Sequence, residues 1–156
     1  MSTRRPIAVA GLRGLGVSGW GWRRHATYRM HIRRTLMQST ILKRFEEPDE
    51  TRVFEKGLFE IVHIGGVTIG RATYEPGWKW SLHVAPVAGE PLCRVEHVGL
   101  VISGHAVAAF EDGSLMDLTP GQLFYIPPVP HDSWVIGEER YVSLHFLGAE
   151  KYSAAT

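Results

Sequence analysis

From Arg52 onward the chain is cut into short apolar segments by glycine and proline at near-even intervals, and this punctuation limits what it can fold into. The expected strands are Val53–Ile64, Val67–Tyr74, Trp78–Val84, His97–Ile102, Ala106–Phe110, Leu115–Leu118, Leu123–Ile126, Ser133–Ile136 and Tyr141–Phe146. They are rich in Val, Ile, Phe, Tyr and Trp, which fit a pleated, half-buried surface. Between them stand Gly65-Gly66, Pro76-Gly77, Gly104, Asp112-Gly113, Pro120-Gly121, Pro127-Pro128 and Gly137. Strands this short, with no long amphipathic helix among them, predict an all-β antiparallel sandwich or barrel over roughly residues 52–147. Asp112-Gly113 is the strongest hairpin signal, because the pair suits the positive φ angles of a two-residue loop. Residues 38–50 are charged and are expected to form a short helix or an edge segment.

A chain of 156 residues suffices for one domain with a sizeable core. The single cysteine, Cys93, excludes an intramolecular disulfide. No apolar run reaches the roughly 18 residues a membrane helix needs. Both features fit a reducing, cytoplasmic setting with no membrane partner.

The formal net charge of +1 is the sum of two unlike parts. Residues 1–36 hold eight arginines, no lysine and no acid, for +8, while residues 37–156 set nine basic residues against sixteen acids, for −7. The leader, 1–36, mixes arginine with Gly11, Gly14, Gly16, Gly19 and Gly21 in neither a helical nor a strand period, and reads as disordered. Residues 37–156 read as the folded domain. Arg13 interrupts the apolar stretch after Arg4-Arg5 and no small-residue cleavage site follows, which argues against a twin-arginine export signal. An organelle transit peptide, or a nucleic-acid-binding arm using Trp20 and Trp22, rests on composition alone, so nucleic acid is not the expected partner. A mature protein beginning at Met30 or Met37 is an open alternative.

Gly77, His83, His97, Gly104, Gly121, Pro127 and His131 fall in the order in which a small β-barrel needs its turns and metal ligands. Three imidazoles on adjacent short strands, each with a neutral nitrogen near pH 7, can converge on one divalent ion and leave coordination positions open.

Residues 65–146 resemble a cupin, a small jelly-roll barrel, of the single-domain bacterial kind. The resemblance rests on the strand from His97 through Gly99, Val101 and Ser103 to Gly104, and on Ile126-Pro127-Pro128 followed by His131-Asp132-Ser133-Trp134. The family's first motif runs glycine, five residues, H-x-H, three or four residues, glutamate, six residues, glycine. Gly77 and His83 match its beginning, and Ala85 stands at the second histidine. Counting forward from Ala85 puts Glu90 at the glutamate place, whereas counting back from Gly104 puts His97 there; the intervening segment is seven residues too long for both. His97 is favoured because it lies on a strand that the barrel fixes, while Glu90 sits in a loop. Parity then turns Gly99, Val101 and Ser103 inward with it and leaves Val98, Leu100 and Ile102 as an outer apolar face. Such a face is expected to be covered by a second subunit, giving a homodimer. The second motif runs glycine, five residues, P-x-G, two residues, histidine, three residues, asparagine. Gly121 and Pro127 match, Val129 replaces the glycine, His131 comes one residue early and Val135 takes the asparagine place.

The resemblance implies a metal site of His83, His97 and His131 holding Fe, Mn, Ni or Zn. It also implies a small organic substrate or ligand, with dioxygenase, isomerase and lyase chemistry all open. A non-catalytic sensor or storage barrel is the alternative, and so is a dimerising interaction module without metal. Cys93, four residues before His97, and Glu90 are the reserve ligands. His145 is expected to face outward if Val142, Leu144 and Phe146 fill the core, while His63 and His105 match no motif position. No general base is placed, since Glu90 and Glu96 have no assigned position and Asp132 faces away from His131 on a regular strand. Trp78, Trp80, Phe124, Tyr125 and Trp134 are expected mainly to pack the core.

Overall fold

Among the described residues, nine strands pair into two antiparallel sheets, most of them alternating between more and less buried side chains. The computed structural model describes residues 40–152, so the readings of residues 1–36 lie outside the described residues. The strands are β1 (Glu50–Phe54), β2 (Gly57–Ile64), β3 (Val67–Tyr74), β4 (His97–Ser103), β5 (His105–Phe110), β6 (Leu115–Leu118), β7 (Leu123–Ile126), β8 (His131–Ile136) and β9 (Tyr141–Leu147). One sheet runs β1-β2-β3-β9-β4-β7 and the other β6-β5-β8. Phe59, Ala72 and Val101 from the first and Ala106, Leu118 and Val135 from the second belong to one buried cluster, so the core lies between the sheets. This is the all-β jelly roll that the punctuation predicts. No helix among the described residues is long and apolar enough to cross a membrane.

Three local expectations are corrected. The single strand expected over Val53–Ile64 is a hairpin, β1 with β2, that turns at Glu55-Lys56. Lys56 takes φ 60 there, a left-handed conformation that a lysine does not advertise. Residues 40–49 carry no helix; a turn leads straight into β1.

The third correction bears on the site. Trp78–Val84 is not a strand: after a single bridge from Lys79 to Trp134, the chain coils into α1 (Trp80–His83) and α2 (Ala85–Ala88). Asp132 on β8 drives this locally. Its Oδ1 accepts the Ser81 amide at 3.0 Å, and its Oδ2 accepts the Ser81 hydroxyl at 2.8 Å and lies 3.1 Å from Lys79 Nζ. A distant carboxylate thus serves as the cap that the first turn lacks in its own sequence. Gly89, at φ 75, ends α2.

Candidate metal centre

β4 supplies the inner wall of the site, and its parity is as the sequence predicts. His97, Gly99 and Val101 are buried, whereas Ile102 is exposed and Val98 and Leu100 are half-buried. His131 heads β8, where the Cys93 and His131 backbones exchange two hydrogen bonds of 2.9 Å. This bridge brings Cys93 Sγ to 3.4 Å from His97 Nε2. Ligand atoms of Cys93, His97 and His131 all lie within 4.8 Å of one another, and all three residues are buried.

His83 is elsewhere. Its Nδ1 lies 2.9 Å from the Lys79 amide nitrogen and 2.9 Å from the Lys79 carbonyl oxygen, so the ring is engaged by its own helical turn. The helical geometry of α1 carries it away from the strand position from which it was expected to reach the ion. Glu90 is exposed in the loop after α2.

The motif spacing could have found Cys93. Counting back from Gly104 through His97, four further residues reach Cys93, which is the place of the second motif histidine. With Cys93 in that place, the shift of eight positions from Ala85 is absorbed before it, by α2 and the loop that follows.

His145 is the second correction at the site. It is 7% exposed and faces inward with Tyr141 and Ser143, while Phe146 is exposed and Val142 and Leu144 are half-buried on the other side. Its register explains how an imidazole fits there. His145 pairs with Gly70 on β3 and with Gly99 on β4. A Cβ at Gly70 would stand 2.2 Å from Phe59, and one at Gly99 2.3 Å from Phe124. The two missing side chains let those phenyl rings lean over the glycines and flank the imidazole edge-on, at centroid distances of 5.3 and 5.6 Å.

Burial sets the charge of these groups. Desolvation holds His97 well below its ordinary value, with His145 and His131 adding repulsion. Desolvation also lowers His131, against the pull of its hydrogen bond to Val129. His145 is brought down to about 4 by burial, and the Cys93 thiol is pushed up to about 12 by the same cause. At neutral pH the imidazoles are therefore uncharged and available as ligands. His131 Nδ1, 2.8 Å from the Val129 carbonyl, donates its hydrogen there and leaves the lone pair on Nε2.

The donor set fits a transition ion. Metal bonds of about 2.0–2.3 Å allow ligand atoms at most about 4.5 Å apart, with a tetrahedral edge near 3.5 Å. The Cys93–His97 separation of 3.4 Å is close to that edge, and the 4.8 Å limit of the cluster lies just above the largest separation those bonds allow. A cavity of about 40 Å³ adjoins these residues, bordered also by Trp78, Tyr74 and Tyr152. Trp80 and Cys93 border both this cavity and an outer cleft of about 730 Å³ near Glu90, Arg94 and Lys151.

Gly104, at φ 71, makes the tight passage from β4 to β5, where a Cβ would meet the Arg140 carbonyl at 2.5 Å. Gly121, at φ 85, turns β6 into β7, and His131 opens β8 after Pro127-Pro128. Both motif ends thus sit at the turns and strand starts that the jelly roll requires. The chain has a cupin fold.

No family model matches this sequence, and no curated protein gives a significant match. Similar solved structures include a protein of unknown function from Rhizobium leguminosarum, at 22% identity and TM-score 0.45 over 58% of this chain and 78% of that one. A second protein of unknown function, from Acinetobacter sp. ADP1, shows 15% identity and TM-score 0.47 over 63% and 89%. A cupin superfamily protein from Desulfitobacterium hafniense shows 17% identity and TM-score 0.41 over 60% and 79%.

Proposed function

We propose that this cupin holds one divalent transition ion through Cys93, His97 and His131 and uses the adjoining cavity to bind and transform a small organic molecule. The observation that carries the reading is the convergence of three buried donors, two from the approach to β4 and its first residue and one from the start of β8, within 4.8 Å. A thiolate with two imidazoles is a softer set than three imidazoles, which favours zinc or nickel over manganese among the expected ions. Such an ion supplies a Lewis acid for a carbonyl or enolate oxygen. The protein contributes a water-poor pocket, the hydroxyls of Tyr74, Tyr141 and Tyr152, and in His145 an imidazole that burial keeps uncharged. Two copies are proposed to pair through the outer face of β9, β4 and β7.

Metal analysis of protein purified without a histidine tag tests the site. One equivalent of transition metal is expected in the wild type, in His83→Ala and in the surface control His105→Ala, and loss of it in Cys93→Ala and His97→Ala. Retention of metal in both of the latter would remove the site. Isomerase, lyase or dioxygenase turnover of carbonyl and enol compounds then separates an enzyme from a sensor or storage barrel. The second reading has its own support: no Asp or Glu is among the described residues bordering the cavity, so no carboxylate base stands beside the ion.

A further inference from the structure

Among the described residues, four buried ring nitrogens have no hydrogen-bond partner: Trp78 Nε1, Trp80 Nε1, His97 Nδ1 and His145 Nδ1. All four residues border the same 40 Å³ cavity. An indole nitrogen only donates, and a buried donor without an acceptor is costly, so an acceptor placed in this cavity within reach of either indole would relieve that cost. With Nε2 of His97 given to the ion, its Nδ1 carries the hydrogen and becomes a third donor of the same kind.

The surroundings define the acceptor's charge and size. Neither Asp nor Glu borders the cavity among the described residues. A divalent ion with one thiolate keeps a net positive charge, which nothing in the wall offsets. At about 40 Å³ the cavity is large enough for a carboxylate. Neither Arg nor Lys borders it among the described residues, although phosphate sites commonly use such side chains.

We propose that the cavity takes the carboxylate of a small organic acid, whose oxygens accept the indole N–H groups of Trp78 and Trp80. The proposal deepens the metal reading and rests on it only for the cationic partner of that carboxylate. Trp80 and Cys93 also border the outer cleft, which places the rest of a larger acid there.

The test is the indole N–H region of the proton–nitrogen correlation spectrum of the full-length protein, with and without zinc, titrated with formate and with its neutral isostere formamide. The five tryptophans give five signals. Phenylalanine replacements of Trp20, Trp22 and Trp134 assign three of them and leave the other two to Trp78 and Trp80. Formate is expected to shift the Trp78 and Trp80 signals saturably and at least tenfold more tightly than formamide, leaving the other three in place. Silent core indoles, or formamide acting as strongly as formate, would overturn the proposal. Native mass spectrometry of the same samples separates the two readings. Bound zinc with silent indoles defeats the carboxylate and leaves the metal site standing, whereas an indole response without bound zinc supports the carboxylate and defeats the metal site.

Discussion

At the scale of single residues, the interior of this barrel trades stability for a polar centre. His145 has a folded value of about 4 against an ordinary 6.5. Between those values the unfolded chain binds a proton that the folded chain refuses, so stability rises with pH across the window and is lost as the pH falls from 6.5 toward 4. The shift corresponds to roughly 3 kcal/mol for the metal-free protein. Urea denaturation of metal-free protein at pH 7 and at pH 4.5 should show the loss, and His145→Gln should reduce the pH dependence without abolishing it, because burial lowers His97 and His131 as well; an equal slope in the variant would show that His145 contributes none of it. The glycines beside this imidazole are equally specific. In Gly99→Ala the new Cβ meets Phe124 at 2.3 Å and the Leu144 carbonyl at 2.4 Å. One of these neighbours must move, and a cost of about 2 kcal/mol is expected. An unchanged melting temperature would mean that β4 and β9 separate there at little cost.

At the scale of elements, Asp132 joins a strand to a helix that local sequence does not announce. Its carboxylate accepts from the Ser81 amide and hydroxyl and faces Lys79. Asp132→Ala should cost about 1 kcal/mol and loosen α1 first, visible as faster amide exchange at Ser81, Leu82 and His83 before any change in β4 or β9. Uniformly faster exchange would instead place Asp132 in the global fold. This contact also explains what could and could not be read from the sequence. Val67–Tyr74, Leu115–Leu118 and Leu123–Ile126 are strands at the bounds that their composition predicts, because turn glycines and prolines bracket them. Trp78–Val84 has strand composition too, but a cap from a residue fifty positions away in sequence turns part of it into helix, and no local pattern carries that information. The Glu55-Lys56 turn was hidden because a lysine occupies the position where glycine is the usual signal. The site follows the same division. His97 and His131 were legible from their distance to turn residues, whereas the inward facing of His145 depends on Gly70 and Gly99, which meet it only through pairing across the sheet.

At the scale of the whole molecule, the inner faces of β9 and β4 carry the site's polar groups while much of the apolar surface faces out. Leu144, Leu100 and Leu123 stand in one row across β9, β4 and β7, and Val98 stands opposite Tyr125 in the neighbouring row. Leu123 is 74% exposed, and β7 is the edge of its sheet with one side unpaired. An apolar row that ends on an open strand edge invites association. A second copy can cover it by two-fold symmetry, each β7 and its neighbours meeting the same elements of the partner. Light scattering at micromolar concentration should give the mass of a dimer. Leu123→Lys combined with Leu100→Glu should yield a monomer, because each dimer would then bury two lysines and two glutamates in the former apolar row. Such a monomer should keep its metal, since Cys93, His97 and His131 all come from the interior of one chain. A wild type that is already monomeric would remove the proposed dimer. A variant that is monomeric but metal-free would show that the dimer supports the site, with the outer face of β4 acting on His97 through the strand they share.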